Sequence, residues 1–187
     1  MKTIAVVGTH CTGKTTLCYK LCASLRMHGK NAILVNESAR MCPFPINEGQ
    51  TAGTTEWIAL QQRLNVLNAQ AAGYEFIICD RSPMDSCLYH MARFGSTQDC
   101  YTIDLLKRYM RGVMYSYDKI ILLSRGKTDI VADGRRSEEN DIRDAVDKIF
   151  LEYFFWHFKD DFIHYRAEDL FKKRVDIDPE TLRITCK

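Results

Sequence analysis

Gly8–Thr9–His10–Cys11–Thr12–Gly13–Lys14–Thr15 decides how this chain reads. The stretch fits G-x-x-x-x-G-K-[ST] at every fixed position. A short apolar run, Thr3–Val7, precedes it, and a helical pattern from about Lys14 to His28 follows, with Gly29 as its stop. Strand, glycine-bearing turn and helix are the context in which this pattern cradles phosphate. The two glycines let the backbone fold tightly enough for several N–H groups to point at one anion. The helix N-terminus adds a partial positive charge of roughly half a unit. Lys14 is placed to reach the β- and γ-phosphates of a nucleoside triphosphate, and the Thr15 hydroxyl to ligate a magnesium ion. Thr9, His10, Cys11, Thr12 and Thr16 complete the cradle, with His10 and Cys11 at variable positions where backbone roles are expected. ATP and Mg²⁺ are the cofactors this implies.

Outward from the loop, apolar runs of strand length alternate with helical patterns. Strands are expected at Ala32–Asn36, Phe76–Cys79, Lys119–Leu123 and Phe162–Tyr165. Helices are expected at about Thr55–Ala72 (capped by Thr54 or Thr55), Ser86–Arg93 and Tyr101–Tyr115, then one ending near Lys159, and a short one at Ala167–Lys173. This alternation specifies an α/β fold: a five-stranded parallel sheet, order 2-3-1-4-5, with helices on both faces. One domain spans residues 1–187, with a short lid at about 125–143.

The 187 residues can bury enough surface to fold without disulfide or metal. A net charge of +2 is too small to announce a nucleic-acid binder, although Lys107, Arg108 and Arg111, and Lys172–Lys173–Arg174, form basic clusters. Eight cysteines occur without a CxxC pair, which argues against zinc, and Met1–Lys2–Thr3 runs straight into a strand with no leader. Reduced thiols and a cytoplasmic location are expected, in the host cytoplasm if the chain is of phage origin. No run is long enough to span a membrane.

A phosphate loop says only that a nucleoside triphosphate binds. Transfer needs an acceptor site, a base and further cations, all gathered at the carboxyl ends of the strands. Three polar clusters fall there. Glu37–Ser38–Ala39–Arg40 follows strand two: Glu37 is a candidate general base, and Arg40 a candidate fork onto phosphate or carboxylate. Asp80–Arg81–Ser82 follows strand three: Asp80 is a candidate magnesium ligand or competing base, and Arg81 is expected to face the acceptor. Asp85 reads as a helix-start carboxylate. Asp133–Gly134–Arg135–Arg136 follows strand four, with Arg143 on the first turns of the next helix. Arginines there can close over the phosphates and neutralise charge that develops during transfer.

With its Thr15–Thr16–Leu17 continuation, Glu-x-Ala-Arg at Glu37–Arg40, Asp80–Arg81–Ser82 and Asp-Gly-x-Arg at Asp133–Arg136, the chain resembles the small-molecule kinase branch of P-loop proteins. It is most similar to the ribosylnicotinamide-kinase-like group, and more distantly to nucleoside and thymidylate kinases. The resemblance covers residues 3–145. It implies a kinase that holds a nucleoside or nucleotide between the region after strand two and the helices after strand three, with Glu37 as base. The base-recognition motif of thymidylate kinases is missing. Some phage enzymes of this general type phosphorylate a hydroxymethyl pyrimidine in DNA, so DNA is a second candidate acceptor. An ATP-hydrolysing switch is the reading from another class.

Phe44, Trp57, Tyr89 and Phe94 are candidate stacking platforms, and Gln61 and Gln62 candidate readers of a base edge. The aromatic cluster from Phe150 to Phe158 reads as core, with any excess face a candidate homodimer surface.

Overall fold

Strand β1 (Lys2–Val7) is buried from Thr3 onward and apolar from Ile4 to Val7, as a strand covered on both faces should be. It lies at the centre of a parallel sheet, paired with β3 (Phe76–Asp80) on one side and β4 (Lys119–Ser124) on the other. β2 (Ala32–Val35) and β5 (Phe162–Arg166) form the edges, giving the expected order β2-β3-β1-β4-β5. The computed structural model describes residues 1–46, 49–95, 100–125, 140–159, 162–171 and 173–186.

Period-two alternation along β1 divides its side chains between two cores. Ala5 and Val7 join the core under α2 (Ala52–Ala71), α3 (Pro83–Phe94), α4 (Cys100–Met114) and α5 (Asn140–His157). Ile4 and Val6 join the core under α1 (Lys14–Met27) and α6 (Ala167–Phe171). The aromatic cluster of α5 divides likewise. Phe150, Tyr153, Phe154 and Phe158 are buried, while Phe155 and Trp156 face outward.

The second core holds what the sequence did not show. Strands β6 (Val175–Ile177) and β7 (Ile184–Cys186) make an antiparallel hairpin that packs on α1. Its anchor is Ser24, a fully buried polar residue on α1. The Ser24 hydroxyl bonds to the Asp176 carboxylate and accepts the Ile177 N–H at 3.2 Å. Two helices begin earlier than expected. α2 starts at Ala52, because Thr51 and Thr54 cap each other reciprocally; α3 starts at Pro83, where Ser82 and Asp85 do the same.

Cys18 and Cys22 are buried thiols packed in the second core, and among the described residues no two cysteines form a disulfide. Among the described residues, no helix is long and apolar enough to cross a membrane.

Candidate active site

The phosphate loop links β1 to α1 through two backbone conformations that favour glycine. Gly8 has φ +130°, and a Cβ there would stand 2.1 Å from the Leu123 carbonyl oxygen of β4. Gly13 has φ +80° and forms the N-cap of α1. Lys14 folds back over the loop: its ammonium donates to the Thr9 carbonyl and, at 3.3 Å, to Thr12 Oγ1. Burial, reinforced by the Arg81 charge, lowers its pKa to about 7.

That lowered pKa has two signed consequences. The unfolded chain holds this proton up to its ordinary 10.5 while the folded chain releases it near 7, so the ligand-free fold gains stability as pH rises between those values. A bound polyphosphate favours the ammonium again, so binding takes up a proton above pH 7 and affinity falls as pH rises. The expected result is a loss of ADP affinity on the alkaline side, where the phosphate itself, with a second pKa of about 6, no longer titrates. Calorimetry in buffers of different ionisation enthalpy reads the proton uptake directly; zero uptake would contradict the Lys14 assignment.

Thr15 Oγ1 donates to Asp80 Oδ2 at 2.6 Å, joining the start of α1 to the end of β3. These two hard oxygens suit magnesium, which keeps most of its water and takes one or two protein ligands beside phosphate oxygens. Among the described residues no group of three His, Cys, Asp or Glu side chains is placed to hold a metal ion; nucleotide phosphate oxygens and water would fill the remaining positions around magnesium.

Beside the loop opens a cleft enclosing about 890 Å³ of empty space, solvent at its mouth included. Its floor is an ion cluster. Arg81 donates through Nε to Glu37 Oε1, and through Nη1 to Asp85 Oδ1 and to the Gly8 carbonyl, both at 3.3 Å. Its guanidinium carbon stands 5.0 Å from the centre of the Tyr89 ring. The Arg81 backbone has φ +80°, a region costly for a non-glycine residue, and is held there by these contacts and by its own N–H on the Val6 carbonyl at 3.0 Å. Asp85 is buried, which pushes its pKa up; Arg81 and the Ser82 hydroxyl and N–H pull it back. The helix-start role expected of Asp85 is therefore real, and the ion pair with Arg81 is a second one.

Gln62, a candidate reader of a base edge, lines the cleft but holds the protein's own groups. It is buried, and all its bonds are spent inside the protein. Its Oε1 accepts from Ser38 N at 3.0 Å and Ser38 Oγ at 2.6 Å; its Nε2 donates to the carbonyls of Asp80 at 3.4 Å and Arg81 at 3.3 Å. It thus ties the segment after β2, which carries Glu37, to the turn after β3, which carries Arg81. Gln62→Leu strands those four groups and should cost about 1–3 kcal/mol in chemical denaturation. ATP affinity, which depends on the loop, should hold.

Of the remaining expected residues, Arg40 is half exposed and pairs with Glu37 Oε2 at 3.4 Å. Arg143 is fully buried and donates to the Cys11 carbonyl at 3.2 Å, while its own carbonyl accepts from Thr9 Oγ1 at 3.3 Å. The first turns of α5 therefore lie on the phosphate loop. Thr16 lines a small hollow on the other side of that loop, with Lys20 and Ala167. Asp133, Gly134, Arg135, Arg136 and most of the expected lid lie outside the described residues, as does Lys172. Lys107 pairs with Asp104 at 2.9 Å, and Arg108 is exposed, so the cluster on α4 includes a solvated face. Of the four candidate platforms only Tyr89 lines the cleft. His10 also reaches it: the imidazole is buried, lines the cleft and meets the Tyr89 hydroxyl at 3.4 Å through Nδ1. Arg93 and Gln50 line the cleft too and carry no motif. The one signal for Arg93 is spacing, since Asp85, Tyr89 and Arg93 recur every fourth residue along one face of α3.

A family model described as an AAA domain matches residues 3–157. The chain belongs to this AAA-domain family. No curated protein matches it. Among solved structures, the AAA domain of this chain is similar to a NadR protein in complex with NR, at TM-score 0.65 and 18% identity; the match covers 87% of this chain and 44% of that one. It is also similar to a deoxyadenosine kinase from M. mycoides with products dCMP and a flexible dCDP bound, at TM-score 0.61 and 17% identity, covering 96% of this chain and 94% of that one. A second NadR structure, with NAD and AMP-PNP, matches at TM-score 0.62 and 17% identity. The chain thus spans less than half the length of the NadR chains. At these identities the likeness establishes the fold, the P-loop kinase arrangement of the sheet.

Proposed function

We propose that this chain is a magnesium-dependent kinase that transfers the γ-phosphoryl group of ATP to a hydroxyl of a nucleoside- or nucleotide-like acceptor. The observation that carries this reading is that the phosphate loop also forms a wall of the cleft. His10 belongs to the loop yet lines the cleft, as do Glu37 and Arg81. Donor phosphates on the loop and an acceptor in the cleft would therefore meet, which is the positioning that phosphoryl transfer mostly requires. The NadR and deoxyadenosine kinase structures, with NR and with dCMP and dCDP, point to the same acceptor class.

In this reading Glu37 accepts the proton of the attacking hydroxyl as its oxygen bonds to the γ-phosphorus and the bond to the ADP oxygen breaks. Asp80 stands on the metal side, because it bonds Thr15 and does not line the cleft. Magnesium, held by Thr15, Asp80 and the phosphates, would neutralise charge on the β- and γ-oxygens. Lys14 holds the phosphates, and Arg143 fixes the loop from behind. Arg135 and Arg136 serve as lid cations, and Arg40 holds Glu37 in place.

The test is label transfer from γ-labelled ATP to a panel of nucleosides, nucleotides, ribosylnicotinamide and oligonucleotides, including hydroxymethylated DNA. A kinase releases ADP much faster once its acceptor is added, since water is a poorly positioned nucleophile. Label appearing only on oligonucleotides would move the acceptor from small molecule to polymer. Turnover indifferent to every acceptor but raised by a protein partner would identify a switch instead.

A further inference from the structure

A hydrogen-bond inventory of the cleft separates side chains already spoken for from those with capacity to spare. Gln62 spends all four bonds on Ser38, Asp80 and Arg81. Ser86 Oγ bonds the Thr55 and Pro83 carbonyls, and Ser82 Oγ bonds Asp85. Arg81 divides its guanidinium between two carboxylates and a carbonyl. Arg93 differs. Its guanidinium touches only the Phe94 ring, 5.9 Å from the centroid, and among the described residues no carboxylate or carbonyl pairs with it. Also in the lining, Gln50 donates its Nε2 to Thr55 Oγ1 at 3.0 Å and keeps its Oε1 unbonded among the described residues.

Position gives the spare groups a meaning. Asp85, Tyr89 and Arg93 lie on one face of α3, and eight residues at ~1.5 Å rise set Arg93 ~12 Å along the axis from Asp85. Asp85 belongs to the floor, beside Glu37, where the reacting hydroxyl would sit on the reading above. Arg93 is therefore a full acceptor length away. Ile46, Ile58 and Ile142 also line the cleft and give it apolar surface suited to a ring.

We infer that Arg93 is a specificity-determining residue: it recognises oxygen atoms at the end of the acceptor remote from the phosphorylated hydroxyl, either ring carbonyls or a phosphate. The inference rests on the kinase reading and goes further, since it requires an acceptor with a hydroxyl at one end and hydrogen-bond-accepting oxygens at the other. Acceptors without such oxygens would forgo the Arg93 guanidinium, which is uncommitted to any carboxylate or carbonyl among the described residues.

The experiment compares the wild-type chain with Arg93→Ala and Arg93→Gln, using γ-labelled ATP and, as acceptors, thymidine, deoxyadenosine and their 3′-monophosphates. Loss of a bond to a charged group should raise the acceptor KM roughly 10–100-fold in Arg93→Ala. The KM for ATP and the kcat at saturating acceptor should stay near wild type, a split that general loosening of the fold would not give. Recovery in Arg93→Gln, with thymidine preferred over deoxyadenosine, identifies ring carbonyls. No recovery, together with preference for the 3′-monophosphates and a KM that rises with salt, identifies phosphate. Label transfer that Arg93→Ala leaves unchanged overturns the inference and spares the kinase reading; so does failure of these four acceptors when ribosylnicotinamide or an oligonucleotide takes label, whereas failure of every acceptor of that wider panel overturns both.

Discussion

Lys14→Met abolishes most turnover while leaving a folded protein. The expected loss is about 10³–10⁵-fold, the range seen when a cation is removed from a transferring phosphoryl group. The fold is spared for an electrostatic reason. In the ligand-free protein the ammonium is buried among the loop carbonyls, and burial already drives its pKa down to about 7. Removing it relieves a desolvation penalty at neutral pH and below, so the denaturation midpoint should hold or rise there. Activity by label release and stability by denaturation, measured on one preparation, check both halves. A variant that keeps wild-type turnover would mean that the loop does not carry the donor phosphates.

Glu37→Gln is the second large effect. If Glu37 takes the acceptor's proton, transfer should fall by roughly 10²–10⁴-fold while ATP binding is unchanged. The amide keeps the shape of the side chain and can still accept from Arg81 through its oxygen, so the ion cluster is weakened rather than dismantled. Asp80→Asn supplies the contrast. Asp80 receives the Thr15 hydroxyl and does not line the cleft, so its substitution should raise the magnesium concentration needed for half-maximal rate. Should Asp80→Asn instead spare magnesium dependence and cut only the transfer step, the two carboxylates have exchanged roles.

The fold was largely legible because local pattern and global architecture agree in this chain. Each central strand is a continuous apolar run, and the G-x-x-x-x-G-K-[ST] turn fixes which strand stands at the centre. The start of α2 was hidden because Ala52–Gly53–Thr54 reads as loop; Thr54 supplies the reciprocal cap through a hydroxyl where glutamate is usual. The β6–β7 hairpin was hidden because strands of three residues are too short to show a period. In the site, Glu37, Asp80 and Arg81 were legible since chemistry in open parallel sheets collects just past the strand ends. Gln62 and Arg93 were not. Gln62 acts on groups 18 to 24 residues away in sequence, and Arg93 stands out only because, among the described residues, no carboxylate or carbonyl pairs with it, which no one-dimensional pattern records.

The hairpin also separates ancestry from folding. The family signature ends at residue 157, but Leu170, Val175, Ile177, Leu182 and Ile184 cover the outer side of α1, the helix that begins in the phosphate loop. A chain cut where the signature stops would lose edge strand β5 and strip the buried Ser24 of its Asp176 and Ile177 partners. Kinship is written in the first five-sixths of this protein, while the unit that must close up together includes the remainder.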